Sequence, residues 1–113
     1  MDIRLPAHLE VSSLIRTVNA EGGFATVLSK GERDAGTIMV VVTEGGREGR
    51  AYERMPQLDG TRQWQLSRRQ NLENPYEFGE YLARRGDQDP DLWIVELDIA
   101  QGERFIGLPV NSA

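Results

Sequence analysis

The sequence contains no cysteine. A disulfide framework, a thiolate zinc site and a cysteine nucleophile are therefore excluded. Histidine occurs once, at His8, and lysine once, at Lys30. No apolar run approaches the roughly 18 residues of a membrane span, and the first ten residues lack the basic start and apolar stretch of a signal peptide. These absences lead to the expectation of a cytoplasmic protein without membrane insertion. Net charge is −5, which argues against nucleic acid as a partner, because phosphate neutralisation supplies most non-specific affinity for duplexes. The basic side chains other than Lys30 are all arginine. They are scattered along the chain, as a GC-rich coding bias would leave them.

What is present suits a folded chain. Of 113 residues, 39% are hydrophobic and 27% charged, enough to bury one core without staples and consistent with one domain over residues 1–113. The organising stretch is residues 24–42. Phe24-Ala25-Thr26-Val27-Leu28-Ser29-Lys30 and Thr37-Ile38-Met39-Val40-Val41-Val42 flank a polar, glycine-bounded turn, a hairpin signal. The second run is apolar on both faces and predicts a strand near the middle of a sheet.

Residues 1–6 read as an extended lead-in. Over residues 7–21, Val11, Leu14, Ile15 and Val18 recur at helical spacing, and Gly22-Gly23 supplies the stop. After a flexible turn over 43–49, residues 50–55 predict a third strand, with Ala51 and Glu53 on one face and Tyr52 and Arg54 on the other. Asp59-Gly60 marks a hairpin turn. Residues 62–68 alternate as a half-buried fourth strand, with Trp64 and Leu66 inward. Asn74 predicts an N-cap ahead of Pro75. The second helix is expected over 75–85, with the stripe Phe78, Tyr81, Leu82 and Gly86 as its stop. Residues 92–99 predict a strand with Trp93, Val95, Leu97 and Ile99 on one face. A strand reached through a helix can pair in parallel with an earlier one. Residues 104–106 predict a short final edge strand before a loose tail. The fold class is α+β: a mixed five- or six-stranded sheet, an antiparallel meander plus a crossover strand, packed by two helices.

The order Val18-Asn19-Ala20-Glu21-Gly22-Gly23-Phe24-Ala25, Asp34-Ala35-Gly36, Tyr52-Glu53-Arg54, Tyr81-Leu82-Ala83-Arg84-Arg85 and Asp89-Pro90-Asp91-Leu92-Trp93 resembles a bacterial family of short proteins, domain of unknown function 1491. The resemblance spans nearly the whole chain and is most specific in the Asp-Pro-Asp-Leu-Trp run. It implies a small α/β domain and carries no catalytic residues.

Five groups of residues are site candidates. Asp87, Asp89, Asp91 and Asp98 approximate calcium-loop spacing, but Leu92 stands where such a loop needs glycine, so a structural turn is expected, with Asp91 closing it and Asp87 accepting backbone bonds. Glu96 and Asp98 share the strand face opposite Trp93, where solvent exposure is expected. His8, near Ser12 and Ser13, shows no nucleophile-elbow context. Gly45, Gly46 and Gly49 with Arg47 and Arg50 lead into a strand, whereas a phosphate loop leads into a helix. Arg68, Arg69, Arg84 and Arg85 flank the second helix and, if convergent, would make a small positive patch. Trp64, Trp93, Phe24 and Phe78 are expected in the core. No cofactor and no metal ion is expected.

The reading that follows is a non-enzymatic cytoplasmic accessory or protein-interaction domain, with an unknown protein partner or a weak homodimer as its assembly. The alternative is a protein or enzyme that takes a small phosphorylated ligand through Arg68, Arg69, Arg84 and Arg85. Ile106, Leu108 and Val110 are the residues through which a homodimer or partner surface would form if the tail is more than an edge.

Overall fold

The computed structural model describes residues 5–109. The elements in chain order are α1 (Ala7–Ala20), β1 (Phe24–Ser29), β2 (Thr37–Glu44), β3 (Arg47–Pro56), β4 (Arg62–Arg69), α2 (Tyr76–Gln88) and β5 (Leu92–Asp98), followed by a 3-10 helix over Gly102–Ile106. The strands form one mixed sheet of order β1-β5-β2-β3-β4. The α+β architecture with two packed helices is thus as expected.

Helix α1 ends as its sequence predicts. Gly22 takes a left-handed φ of 89°. The Gly23 amide donates to the Val18 carbonyl at 3.0 Å and the Gly22 amide to Asn19 at 3.1 Å, the paired bonds of a Schellman cap. Val11 and Val18 are buried, and Leu14 and Ile15 pack beside them. Helix α2 buries Phe78 and Tyr81 against the other sheet face, with Leu82 partly covered. It runs on through Gly86 to Gln88 rather than stopping at residue 85. Asn74 does not cap it with its side chain; Pro75 occupies the N-cap, and Asn74 contributes its carbonyl to Glu77 instead.

The two sheet faces carry two cores. Ile38, Val40, Val42, Tyr52, Trp93, Val95 and Leu97 face α1. Met39, Val41, Ala51, Leu92 and Ile94 face α2. Strand β2 is buried at every position between its two ends, which requires partners on both edges and cover on both faces. It pairs antiparallel with β3 and parallel with β5 from Thr37↔Leu92 to Thr43↔Asp98, as the crossover through α2 allows. The β2–β3 connection is a two-residue Gly45-Gly46 turn with both φ positive, the geometry that matches strand twist. The β2-β3-β4 part of the meander is present.

Several expectations about the strands fail, the first at the hairpin. β1 and β2 do not form a hairpin, because β5 lies between them. The two most apolar strands take each other as central partners, and the less apolar β1 is displaced to the edge. Residues 30–36 are therefore not a tight turn but a loop that crosses the start of β5. A Cβ at Gly31 would stand 2.3 Å from the Asp91 carbonyl oxygen, and one at Gly36 2.6 Å from it, so only glycine permits this crossing. The Trp93 indole N–H donates to the Glu32 carbonyl at 2.7 Å, and the Glu32 carboxylate accepts from the amides of Asp34 and Ala35. The loop also takes the first α1 amides: Ala7 donates to Asp34 and His8 to Arg33.

The second failure follows from the edge position. Phe24 is 73% exposed, not a core residue. The third is residues 104–106, which are helical rather than a strand. The sheet is already complete, and this segment covers the α1 face instead. Phe105, Ile106 and Leu108 pack against that core, so Ile106 and Leu108 are turned onto their own fold. Val110 lies outside the described residues, as do residues 1–4 of the lead-in. Leu66 is 44% exposed although it stays in step with Trp64, the two standing opposite Tyr52 and Arg54; only Trp64 of that pair packs against the core.

Candidate functional site

The four arginines singled out by sequence do not converge. Arg68 and Arg85 both lie against Tyr81, with guanidinium carbons 4.3 and 5.8 Å from the ring centre. Arg68 pairs with Glu77 at 2.9 Å. Arg85 grips Glu53 through two bonds of 2.7 and 2.6 Å and donates to the Tyr81 hydroxyl at 2.9 Å. The hydrogen bonds from Arg85 hold the Glu53 carboxyl below its ordinary range. Both arginines are therefore neutralised struts between α2 and the sheet. Arg84 is exposed. Arg69, one residue after Arg68, leaves β4 on the other face and lines a cavity with Arg50 and Tyr52.

The remaining candidates are structural in placement. Asp89 accepts from the Asp91 amide at 3.1 Å; the turn is closed by Asp89, not by Asp91. Glu96 accepts from the buried Thr43 hydroxyl at 2.7 Å, and Asp98 accepts from the Gly45 amide at 2.7 Å. Neither is a free solvent-facing carboxylate. His8 donates through Nδ1 to the Arg33 carbonyl at 3.1 Å, which ties α1 to the crossing loop. Gly49 is needed for packing: a Cβ there would sit 2.5 Å from the Phe78 ring.

Two surfaces remain. The first is the free edge of β1. Among the described residues β1 pairs only with β5, so its outer row of amides and carbonyls is open. Its sequence, Phe-Ala-Thr-Val-Leu-Ser, carries no charge and no proline. The opposite edge, β4, carries Arg62, Arg68 and Arg69. Proteins blunt exposed edges with charge, proline or cover; β4 is blunted and β1 is not. Thr26 stands opposite Glu96 and Phe24 opposite Asp98, which places Phe24 and Thr26 on the α2 side of the sheet. Beside them a groove of about 400 Å³ separates β1 from α2, lined by Leu28, Gly79, Leu82, Ala83, Asp87 and Ile94. Gly79 and Ala83 lie one helical turn apart and keep the groove floor low on the helix side. Leu28 is 46% exposed on its other wall. A sequence signal existed for this surface in the chargeless strand, but the hairpin reading hid it.

The second surface is a polar cleft of about 330 Å³ at the end of β2 that β5 also reaches, lined by Glu44, Arg50, Tyr52, Arg69, Gln101 and Glu103. Ligands favour the carboxyl ends of parallel strands. Arg50 donates to Glu103 at 2.6 and 3.1 Å, and the Tyr52 hydroxyl donates to the same carboxylate at 2.7 Å. Burial alone would raise the Glu103 carboxyl, but the Arg50 and Tyr52 hydrogen bonds outweigh it and hold it at about 2. Burial, then the bond to Glu103, raises the Tyr52 phenol. Gln101, a non-glycine residue with left-handed backbone at φ 56°, lines this cleft. Sequence reasoning missed Glu103, because its partners lie about fifty residues upstream and nothing local points to them.

The model of the family described as protein of unknown function (DUF1491) matches residues 5–107. A DUF1491 family protein from Caulobacter crescentus CB15 is similar as a crystal structure at 32% identity, with 96% of this chain and 100% of that chain covered and a TM-score of 0.74. An NMR structure of a DUF1491 family protein from the same organism gives 31%, 98%, 100% and 0.76. The solution structure of Atu0922 from A. tumefaciens is similar at 33% identity, covering 86% and 87%, with a TM-score of 0.66. No curated protein matches the chain.

Proposed function

The chain belongs to the DUF1491 family of proteins of unknown function, and from its surfaces we propose that it is a protein-interaction domain that takes an extended segment of another protein onto the β1 edge. The carrying observation is that one sheet edge is protected by arginines while the other is uncharged, apolar and bordered by a groove. Strand addition draws affinity from main-chain bonds and specificity from pockets for alternate side chains. The partner segment that fits has an apolar side chain for the Leu28–Leu82–Ile94 groove and a basic residue beside it for Asp87. The net charge of −5 opposes a second acidic copy in that place. A cytoplasmic setting suits a chain without cysteine. No helix among the described residues is long and apolar enough to cross a membrane.

The alternative, a phosphorylated ligand on Arg68, Arg69, Arg84 and Arg85, has less support. Glu77 and Glu53 already occupy two of the four, and Arg69 lies on the opposite face from Arg68.

The test compares the wild-type chain with a Phe24→Lys, Leu28→Lys double variant. Phe24 is 73% and Leu28 46% exposed and neither belongs to a core cluster, so the variant should melt within a few degrees of wild type. Proteins captured from the native cytoplasm by the wild type and not by the variant are identified by mass spectrometry. Their segments are then titrated as peptides while β1 amides are followed by NMR. Shifts and slowed exchange along β1 support the reading. Binding that is indifferent to the double variant, or shifts confined elsewhere, would refute it. Light scattering that shows a dimer lost in the variant would replace the foreign partner with a second copy.

A further inference from the structure

We propose that the polar cleft between Arg69, Glu44 and Gln101 is a separate binding site for a small zwitterion of the amino-acid type, its carboxylate on Arg69 and its ammonium on Glu44. The argument starts from the strand register. Arg50 and Arg69 stand directly opposite each other on β3 and β4, and like charges so placed repel. Only one of the two is balanced. Arg50 commits its donors to both Glu103 oxygens and to the Glu48 carbonyl. Arg69 is exposed, lines the cleft and makes no side-chain ion pair or hydrogen bond among the described residues, so its guanidinium donors are available to a ligand there. A carboxylate matches that fork in two parallel bonds.

The opposite wall decides against a multiply charged anion. Glu44 lines the same cavity and is held by the Gln101 amide at a long 3.4 Å, which leaves most of its acceptor capacity unused. The Glu103 carboxylate, ionised down to about pH 2, adds a second negative group. A phosphate dianion bound at Arg69 would face both. A ligand with one negative and one positive end satisfies Arg69 and Glu44 together and leaves the Arg50–Glu103–Tyr52 network undisturbed. The cavity, about 330 Å³, is at the small end of the range for ligand sites and suits a molecule of about ten heavy atoms. Tyr52 and Arg50 are immobilised by Glu103, so this wall needs no reordering when a ligand arrives.

The site is independent of the β1 edge, and so is its test. The full chain, isotope-labelled, is titrated separately with each common free amino acid, with sodium acetate, with methylamine and with inorganic phosphate. Amides of Gly45, Gly46, Arg69 and Gln101 are the reporters. The expected result is that at least one amino acid binds about tenfold or more tightly than acetate or methylamine, with shifts at these amides. Arg69→Gln and Glu44→Gln should each weaken it by about tenfold or more, with melting temperature nearly unchanged, while the Phe24→Lys, Leu28→Lys variant binds normally. Acetate binding as tightly as the best amino acid, phosphate binding more tightly than any, shifts insensitive to both substitutions, or no shifts at all would each overturn the proposal.

Discussion

Replacing Trp93 with alanine tests the account of why β5 sits where it does. Trp93 is 5% exposed and belongs to the core under α1. Its indole does two things. The ring fills the space beneath the loop of residues 30–36, where Gly31 and Gly36 leave no Cβ to meet it. Its N–H donates to the Glu32 carbonyl at 2.7 Å. Truncation removes a large buried aromatic, which costs roughly 3–5 kcal/mol, and the lost hydrogen bond contributes about 1 kcal/mol of the whole. The site lies under a loop rather than at the centre of the core, so water can enter the space left behind. A loss of about 4 kcal/mol is therefore expected, with a fall in melting temperature of roughly 15 °C. Trp93→Phe keeps most of the ring and loses the donor, so its expected cost is about 1–2 kcal/mol. Urea unfolding followed by far-UV circular dichroism gives both values, provided the slope with denaturant is unchanged. An alanine variant that loses less than about 1.5 kcal/mol would refute the reasoning. So would a phenylalanine variant as damaged as the alanine one, since the ring would then have contributed nothing.

Three other outcomes are expected. Glu103→Gln should destabilise at neutral pH. Because the folded carboxyl lies at about 2, below its ordinary value of 4.5, this stability is fully present above about 4.5 and is lost as pH falls toward 2; acid titration of both proteins should show the gap between them closing in that window. Gly49→Ala places a Cβ 2.5 Å from Phe78, and overpacking of this kind costs about 1–3 kcal/mol, measurable by denaturant unfolding. Gly46→Val in the β2–β3 turn, at φ 76°, should cost roughly 1–3 kcal/mol from backbone strain alone, since nothing lies within 4 Å of its Cβ position and a loss well above that range would point to a contact rather than strain.

Local periodicity was enough to determine the buried faces of α1, α2, β2 and β3. The Val11–Val18 stripe, the Phe78–Tyr81 stripe, the Tyr52/Glu53 alternation and the twofold apolarity of β2 all depend on residues a few positions apart, where helix and strand geometry leave one arrangement. The same holds for the Gly22-Gly23 cap. Strand partners are decided differently. β1 followed by a glycine-bounded turn and β2 satisfies every short-range condition for a hairpin, yet β5, far along the chain, competes for the same edge of β2 and wins because pairing Ile94, Val95 and Leu97 there buries more apolar surface than pairing Val27 and Leu28 would. That choice alone exposes Phe24, opens the β1 edge and stretches residues 30–36 across Trp93. It also decides the site. Arg68 and Arg69 are adjacent in sequence, but the pleat sends one to Tyr81 and Glu77 and the other to Arg50, while the carboxylate that balances Arg50 comes from Glu103 in a 3-10 helix whose flanking residues pack on the α1-side core. Charges that meet across such separations leave no trace in spacing, because their distance is set by packing of the whole chain and not by the repeat of any one element.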